Sequence, residues 1–127
     1  MIALAYVQYM AGQGLANVAD TLGDHRPDRI AFAVFATPRG GDPLYSVALQ
    51  LRCRADDRLT AERELGRARE LLLATRYSTV RFVDPDGQPD RVFHVKYIEE
   101  VTRPAWYPTP GAGEEASCNF TLYVSEP

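Results

Sequence analysis

The stretch Tyr45-Ser46-Val47-Ala48-Leu49-Gln50-Leu51-Arg52-Cys53-Arg54 reads with a period of two. Tyr45, Val47, Leu49, Leu51 and Cys53 fall on one side, and Ser46, Ala48, Gln50, Arg52 and Arg54 on the other. Such alternation predicts a strand with one buried and one wetter face. Ala55-Asp56-Asp57 ends it, and from Thr60 onward Ala61, Leu65, Ala68 and Leu72 recur at helical spacing. Residues 45–75 therefore predict a strand that hands directly to a helix, each with an apolar face to bury. Thr60 is the predicted N-cap, with Glu62 in the first turn, where a negative charge suits the helix dipole. Glu64, Arg67 and Glu70 give this helix a charged outer face. Gly66 in its middle costs about 1 kcal/mol relative to alanine.

Downstream, residues 78–83 predict a short strand, and the Asp84-Pro85-Asp86-Gly87 cluster begins a turn that runs to residue 90. Residues 92–101 predict a strand with Phe93, Val95 and Tyr97 on one face and His94, Lys96 and Ile98 on the other. Residues 103–115, with three prolines and two glycines among them, predict a loop. Residues 116–125 close the chain as a strand with Cys118, Phe120, Leu122 and Val124 facing inward.

Upstream, residues 2–11 predict a helix stopped by Gly12 and Gly14. It is apolar nearly all round, so it is either deeply packed or also meets a neighbouring subunit. Residues 17–29 predict a loop, with one helical turn over 16–22. Residues 30–37 predict a strand apolar on both faces and hence internal to its sheet, and residues 38–43 a hairpin turn. The order is α-β-β-α-β-β-β, an α+β chain with a largely antiparallel or mixed sheet and two helices packed on one face. A length of 127 residues predicts one domain, 1–127.

Fourteen basic against seventeen acidic residues give a net charge of −3, which argues against general nucleic-acid binding. Lys96 is the only lysine among the fourteen, an arginine bias typical of GC-rich coding. The apolar run at the N-terminus is too short for a membrane span and has no basic residues ahead of it, so a cytosolic place of synthesis is expected. Cys53 and Cys118 each sit in a strand pattern and read as small buried hydrophobes.

No catalytic set emerges. His25 and His94 are not spaced as metal ligands with each other or with either cysteine, and no serine or cysteine has a recognisable base. Asp84, Asp86 and Asp90 lack the calcium-loop pattern. Neither Gly12-Gln13-Gly14 nor Gly40-Gly41 completes a nucleotide-binding loop. The sequence thus predicts no enzyme, no metal and no cofactor. Arg52 and Arg54 lie either on a solvated sheet face or on one that pairs with acids of a neighbour. Trp106 and Tyr107 either fold back onto the core or anchor a protein contact.

Three segments together give the chain a family resemblance. The first is Pro27-Asp28-Arg29-Ile30-Ala31-Phe32-Ala33-Val34 with Thr37 and the Gly40-Gly41 turn, behind a helix and polar loop. The second is the stretch from Tyr45 to Arg54 running into its helix. The third is Ser117-Cys118-Asn119-Phe120-Thr121-Leu122-Tyr123-Val124 after a proline- and glycine-rich loop. In this order the chain resembles the tail terminator (tail-completion, minor capsid) proteins of long non-contractile-tailed bacteriophages.

The resemblance implies a structural virion protein. Such subunits close into a hexameric ring on the tail tube, halt its polymerisation and offer the surface on which the head docks. It implies homo-oligomer contacts and tail-tube and head-tail connector partners, with no membrane and no specific nucleic-acid recognition. Its place would be the head-proximal end of the tail, after assembly in the host cytoplasm. Tyr6 and Tyr9 on the first helix, Gln50, Arg52 and Arg54 on the central strand, and Trp106 and Tyr107 become the expected contact residues. The alternatives are another head-tail connector or neck protein, or a small ferredoxin-like ligand-binding or enzymatic domain using His94, Tyr97 or Tyr123. An adaptor or toxin–antitoxin module is a third.

Overall fold

The structure is a computed structural model that describes residues 1–23, 26, 29–40, 44–108 and 113–126, with backbone only at 107 and 108. Its elements are α1 (Ile2–Gly12), β1 (Val18–Ala19), β2 (Ala31–Arg39), β3 (Leu44–Ala55), α2 (Arg58–Leu73), β4 (Ser78–Phe82), β5 (Arg91–Pro108) and β6 (Glu114–Ser125). The six strands form one sheet in the order β1-β2-β3-β6-β5-β4. Four neighbouring pairs are antiparallel and β1–β2 is parallel, so the sheet is mixed. The class is α+β. The order gains one short strand over the sequence reading, becoming α-β-β-β-α-β-β-β.

β3 forms as its alternation predicts, with Val47, Leu49, Leu51, Cys53 and Ala55 buried. Ala61, Leu65, Ala68 and Leu72 are the buried residues of α2, which packs on β3, β6 and β5. The helix starts two residues before the expected Thr60. Asp57 is the cap, its carboxylate accepting from the backbone N–H and the hydroxyl of Thr60, both at 2.8 Å. A carboxylate satisfies an open N–H at the positive end of the helix dipole, which a threonine one turn inside the helix does not do.

α1 buries Ile2, Ala5, Tyr6 and Met10, and Ala3, Leu4, Val7 and Tyr9 pack partly buried against the same core. One side of the helix is thus deeply packed, while Ala3, Leu4, Val7 and Tyr9 keep part of their surface exposed. Beyond its end, Gly14 at φ +93° turns the chain so that Leu15 N–H reaches the Met10 carbonyl at 3.0 Å and Leu15 enters the core. α1 lies against β4 and also against β1 and β2, which stand at opposite ends of the sheet order.

Three expectations are corrected, and one is met in part: β2 is internal to the strand order, between β1 and β3, but β1 reaches only Phe32 and Ala33, and Arg52 lies over the Phe35 ring with 5.2 Å to its centroid. Residues 18–19 form a strand rather than a helical turn, set by Asn17 at φ 56°, whose carbonyl accepts from Phe32 N–H at 3.0 Å. Residues 103–108 are strand, because β6 offers ladder partners that no local signal announces, Ala105 opposite Ser117 and Trp106 opposite Ala116. A register shift between Val95 and Tyr97 reverses the expected alternation in β5, leaving Tyr97 exposed and burying Ile98.

The turn at 84–90 forms as expected, Asp84 accepting from Asp86 N–H at 2.7 Å and Gly87 at φ +79°. The expected 38–43 turn is half met. Pro38 and Arg39 still pair with β3, while residues 41–43 lie outside the described residues, as does His25.

Candidate protein-interaction surface

The helices cover the sheet face that carries Leu49, Leu51, Cys118, Phe120 and Leu122. No described element covers most of the other face. Strand registers bring Thr37, Ala48, Thr121 and Glu99 into one row across it, with Phe35, Gln50, Asn119 and Thr102 in the next. Between these rows lies a shallow groove of about 420 Å³, flanked by Phe35, Thr37, Gln50, Val101, Asn119 and Thr121. Arg39, Leu49 and Phe120 also line it, so apolar residues alternate there with amide, hydroxyl and guanidinium groups able to hydrogen-bond.

Gln50 and Arg52 both stand on this face, as their alternation requires, and Arg52 Nε donates to Gln50 Oε1 at 2.9 Å. The Arg52 guanidinium also lies over the Phe35 ring, so Gln50 and Phe35 together fix its position on this face. Asn119 is tied to a break in the ladder. Its backbone N–H and its Nδ2 both donate to Thr102 Oγ1, at 3.0 and 2.9 Å, where β5 slips register against β6. The hydroxyl replaces a ladder acceptor that the slip removes.

Arg54 belongs to a different setting. Its Nη1 donates to the Gly23 carbonyl at 2.7 Å and its Nη2 lies 3.6 Å from Glu115 of its own chain, with side-chain exposures of 12% and 5%. The acid expected of a neighbour is thus supplied across the β3–β6 ladder, where Arg54 and Glu115 are direct partners. The pair also ties the segment before β2 to the sheet.

Tyr6 is withdrawn from any contact surface. Its ring is fully buried and its hydroxyl lies 2.7 Å from Thr75 Oγ1, which itself donates to the Leu72 carbonyl at 2.6 Å. Burial drives the phenol well above its ordinary range, so it stays protonated and donates to Thr75. Tyr9 is half-buried and donates to the Leu71 carbonyl at 3.0 Å, a link between the helices.

Trp106 folds back onto its own chain, against polar partners rather than the core cluster. Its indole N–H donates to Glu114, and the Arg58 guanidinium lies 4.6 Å from its ring centroid at the start of α2. Tyr107 continues the β5 ladder opposite Glu115, and its side chain lies outside the described residues.

His94 and Tyr97 come from β5 and Tyr123 from β6, and all three share the uncovered face. The Tyr97 and Tyr123 rings are 6.2 Å apart. A separate hollow of about 280 Å³ beside them is lined by Tyr77, Thr79, His94 and Lys96 and is open to solvent, not enclosed. Tyr77 is a surface feature the sequence reading missed. It sits at φ 62°, an unusual conformation for a bulky residue, and the residue is 77% exposed. Nothing in the local pattern marks it, since its conformation comes from the tight passage between α2 and β4.

Among the described residues no three His, Cys, Asp or Glu side chains converge as a metal site, and no helix is long and apolar enough to cross a membrane. Burial raises both thiols, Cys53 and Cys118, to about 12, against the low value a nucleophilic thiol needs. Comparison of this chain with protein-family models, with curated proteins and with solved structures found no match.

Proposed function

We propose that this chain is a phage tail terminator, a subunit that assembles into a ring on the end of the tail tube, stops its growth and presents the surface for head attachment. The observation that carries the reading is the one-sided sheet. Both helices serve a single core, and the opposite face is left as a pre-ordered polar surface around Gln50, Arg52, Asn119 and Thr121. A protein that works by contact needs such a surface and no enclosed chamber. Two of the segments behind the family resemblance, residues 45–54 and 117–124, supply this face as the adjacent strands β3 and β6.

The reading is tested by adding purified protein to polymerising tail tubes and measuring their length by electron microscopy. Capped tubes of limited length with added density at one end are the expected outcome. Tubes that grow unchanged at saturating protein would overturn it. Light scattering and negative-stain images of the protein alone give the accompanying check, with six-fold rings the expected particle.

A second reading, a small ligand-binding domain, has one observation in its favour, the solvent-open hollow beside His94 and Tyr77. A small molecule retained through purification and released on denaturation would favour it over the ring.

A further inference from the structure

We propose that the hollow at the start of β4, beside β5, binds a small phosphate monoester carrying one flat ring. Tyr77 stacks on that ring, and Lys96, His94 and Thr79 hold the phosphate. The inference rests on the ligand-binding reading of this hollow and does not need the tail-tube reading. The row Arg39, Ser46, Tyr123 and Tyr97 lies between the hollow and the groove around Gln50.

Two departures from regular backbone meet here. β5 carries one residue more than β6 between the partners Val95–Val124 and Tyr97–Tyr123, and that extra residue is Lys96. A bulge of this kind frees a side chain from the strand alternation and re-aims it. On the neighbouring strand Ser78 is the partner of Val95, which brings Tyr77 beside Lys96 at φ 62°.

The fold does not account for a tyrosine at this position. The passage out of α2 closes through backbone bonds, Thr75 N–H to the Leu72 carbonyl and Ser78 N–H to the Thr75 carbonyl, each at 3.0 Å. Glycine adopts a positive φ without the side-chain clash that a tyrosine meets. The Tyr77 ring stands outside the core cluster, and its hydroxyl bonds to no described group. A bulky residue is thus held in a disfavoured conformation where it stabilises little, as happens where strain serves a site.

The lining selects an anion. Lys96, the only lysine of the chain, is exposed and forms no ion pair among the described residues. The side chains of His94 and Thr79 are likewise unbonded to any described group. No acid lines the hollow, although the net charge of the chain is −3. An ammonium, an imidazole and a hydroxyl supply donors for the three free oxygens of a phosphate monoester, one more than a carboxylate presents. The tyrosine ring offers an aromatic face for the rest of the ligand. The volume of about 280 Å³ lies just under the roughly 300 Å³ at which pockets for drug-sized molecules begin, which leaves room for a single ring.

The test titrates the full chain with phenyl phosphate, phenol and benzylamine, read from the backbone amide signals of residues 77–79 and 94–96 by NMR. Phenyl phosphate should shift these signals and bind at least tenfold more tightly than either other probe. Lys96→Gln should weaken its binding at least tenfold. Tyr77→Gly should do the same while its urea midpoint stays level with the parent or rises. A midpoint that falls in Tyr77→Gly, or phenyl phosphate binding unchanged in either variant, would overturn the assignment. Phenol or benzylamine bound there as tightly as phenyl phosphate would overturn the anion and leave the hollow standing as a ligand site. No shift of these signals by any of the three probes would overturn both.

Discussion

The side-chain amide of Gln8 pairs with the backbone of Val83 in both directions, donating from Nε2 to its carbonyl at 2.8 Å and accepting its N–H on Oε1 at 2.9 Å. One polar residue in an otherwise apolar helix thus imitates a strand partner at the end of β4. Gln8→Ala removes both bonds and should lower stability by about 1–2 kcal/mol, read from the urea midpoint. Gln8→Glu keeps an acceptor for Val83 N–H but sets a carboxylate against the Val83 carbonyl, so it should do no better than alanine.

Tyr6 and Thr75 should respond unequally to loss of their shared bond. Tyr6→Phe removes a donor and leaves Thr75 still bonded to the Leu72 carbonyl, a loss of about 1 kcal/mol. Thr75→Val strands the buried phenol without a partner and should cost about 1–3 kcal/mol. Equal losses in chemical denaturation would contradict this direction of donation.

Cys53 and Cys118 predict a fall in stability in alkali. Burial raises each thiol from 9.0 to about 12, so between those values the unfolded chain gives up protons that the folded chain keeps. The unfolded state then binds fewer protons, and stability falls as pH rises through that window. Urea midpoints measured across it should decline, and less steeply in the Cys53→Ala/Cys118→Ala variant. A thiol reagent at neutral pH should label neither cysteine until urea is added.

Asp57 predicts an acid-side effect of opposite sign. Bonds from the Thr60 backbone N–H, and then its hydroxyl, hold the Asp57 carboxyl below its ordinary value. Its contribution is present above the ordinary carboxylate range and is lost as pH falls through the lowered value. Asp57→Ala should lower the thermal midpoint at neutral pH and narrow its difference from the parent in acid. Asp57→Asn, which keeps one acceptor, should lie between them.

Thr121 tests the uncovered face. Thr121→Arg places a long cation in the groove beside Gln50 and Asn119 without touching the core. Tube capping should weaken at least tenfold, on the order of 1.4 kcal/mol, while the urea midpoint stays near that of the parent.

Much of this arrangement was legible in the residues, and the losses have particular causes. β3, α2 and the closing strand follow from unbroken periods, because each buries one continuous face against the same core. β5 did not, since the shift at Lys96 is paid by pairing with β6, a partner some twenty-five residues away, and alternation read across it inverts Tyr97 and Ile98. Proline content suggested a loop at 103–108, yet Pro104 and Pro108 sit in a strand with one edge open, where a missing N–H costs no ladder bond on the free side. At the surface, Gln50 and Arg52 were legible from their face alone. Tyr6 and Arg54 were not, because their burial depends on Thr75, Glu115 and Gly23, each distant in sequence.

The position of α1 has a consequence for cooperativity. It lies against β4 at one end of the sheet order and against β1 and β2 at the other. One helix thus joins two strands that share no ladder, through a seat that includes the fully buried Ala5 and Met10. A larger residue at Ala5 would crowd that seat and loosen both ends of the sheet together rather than one alone.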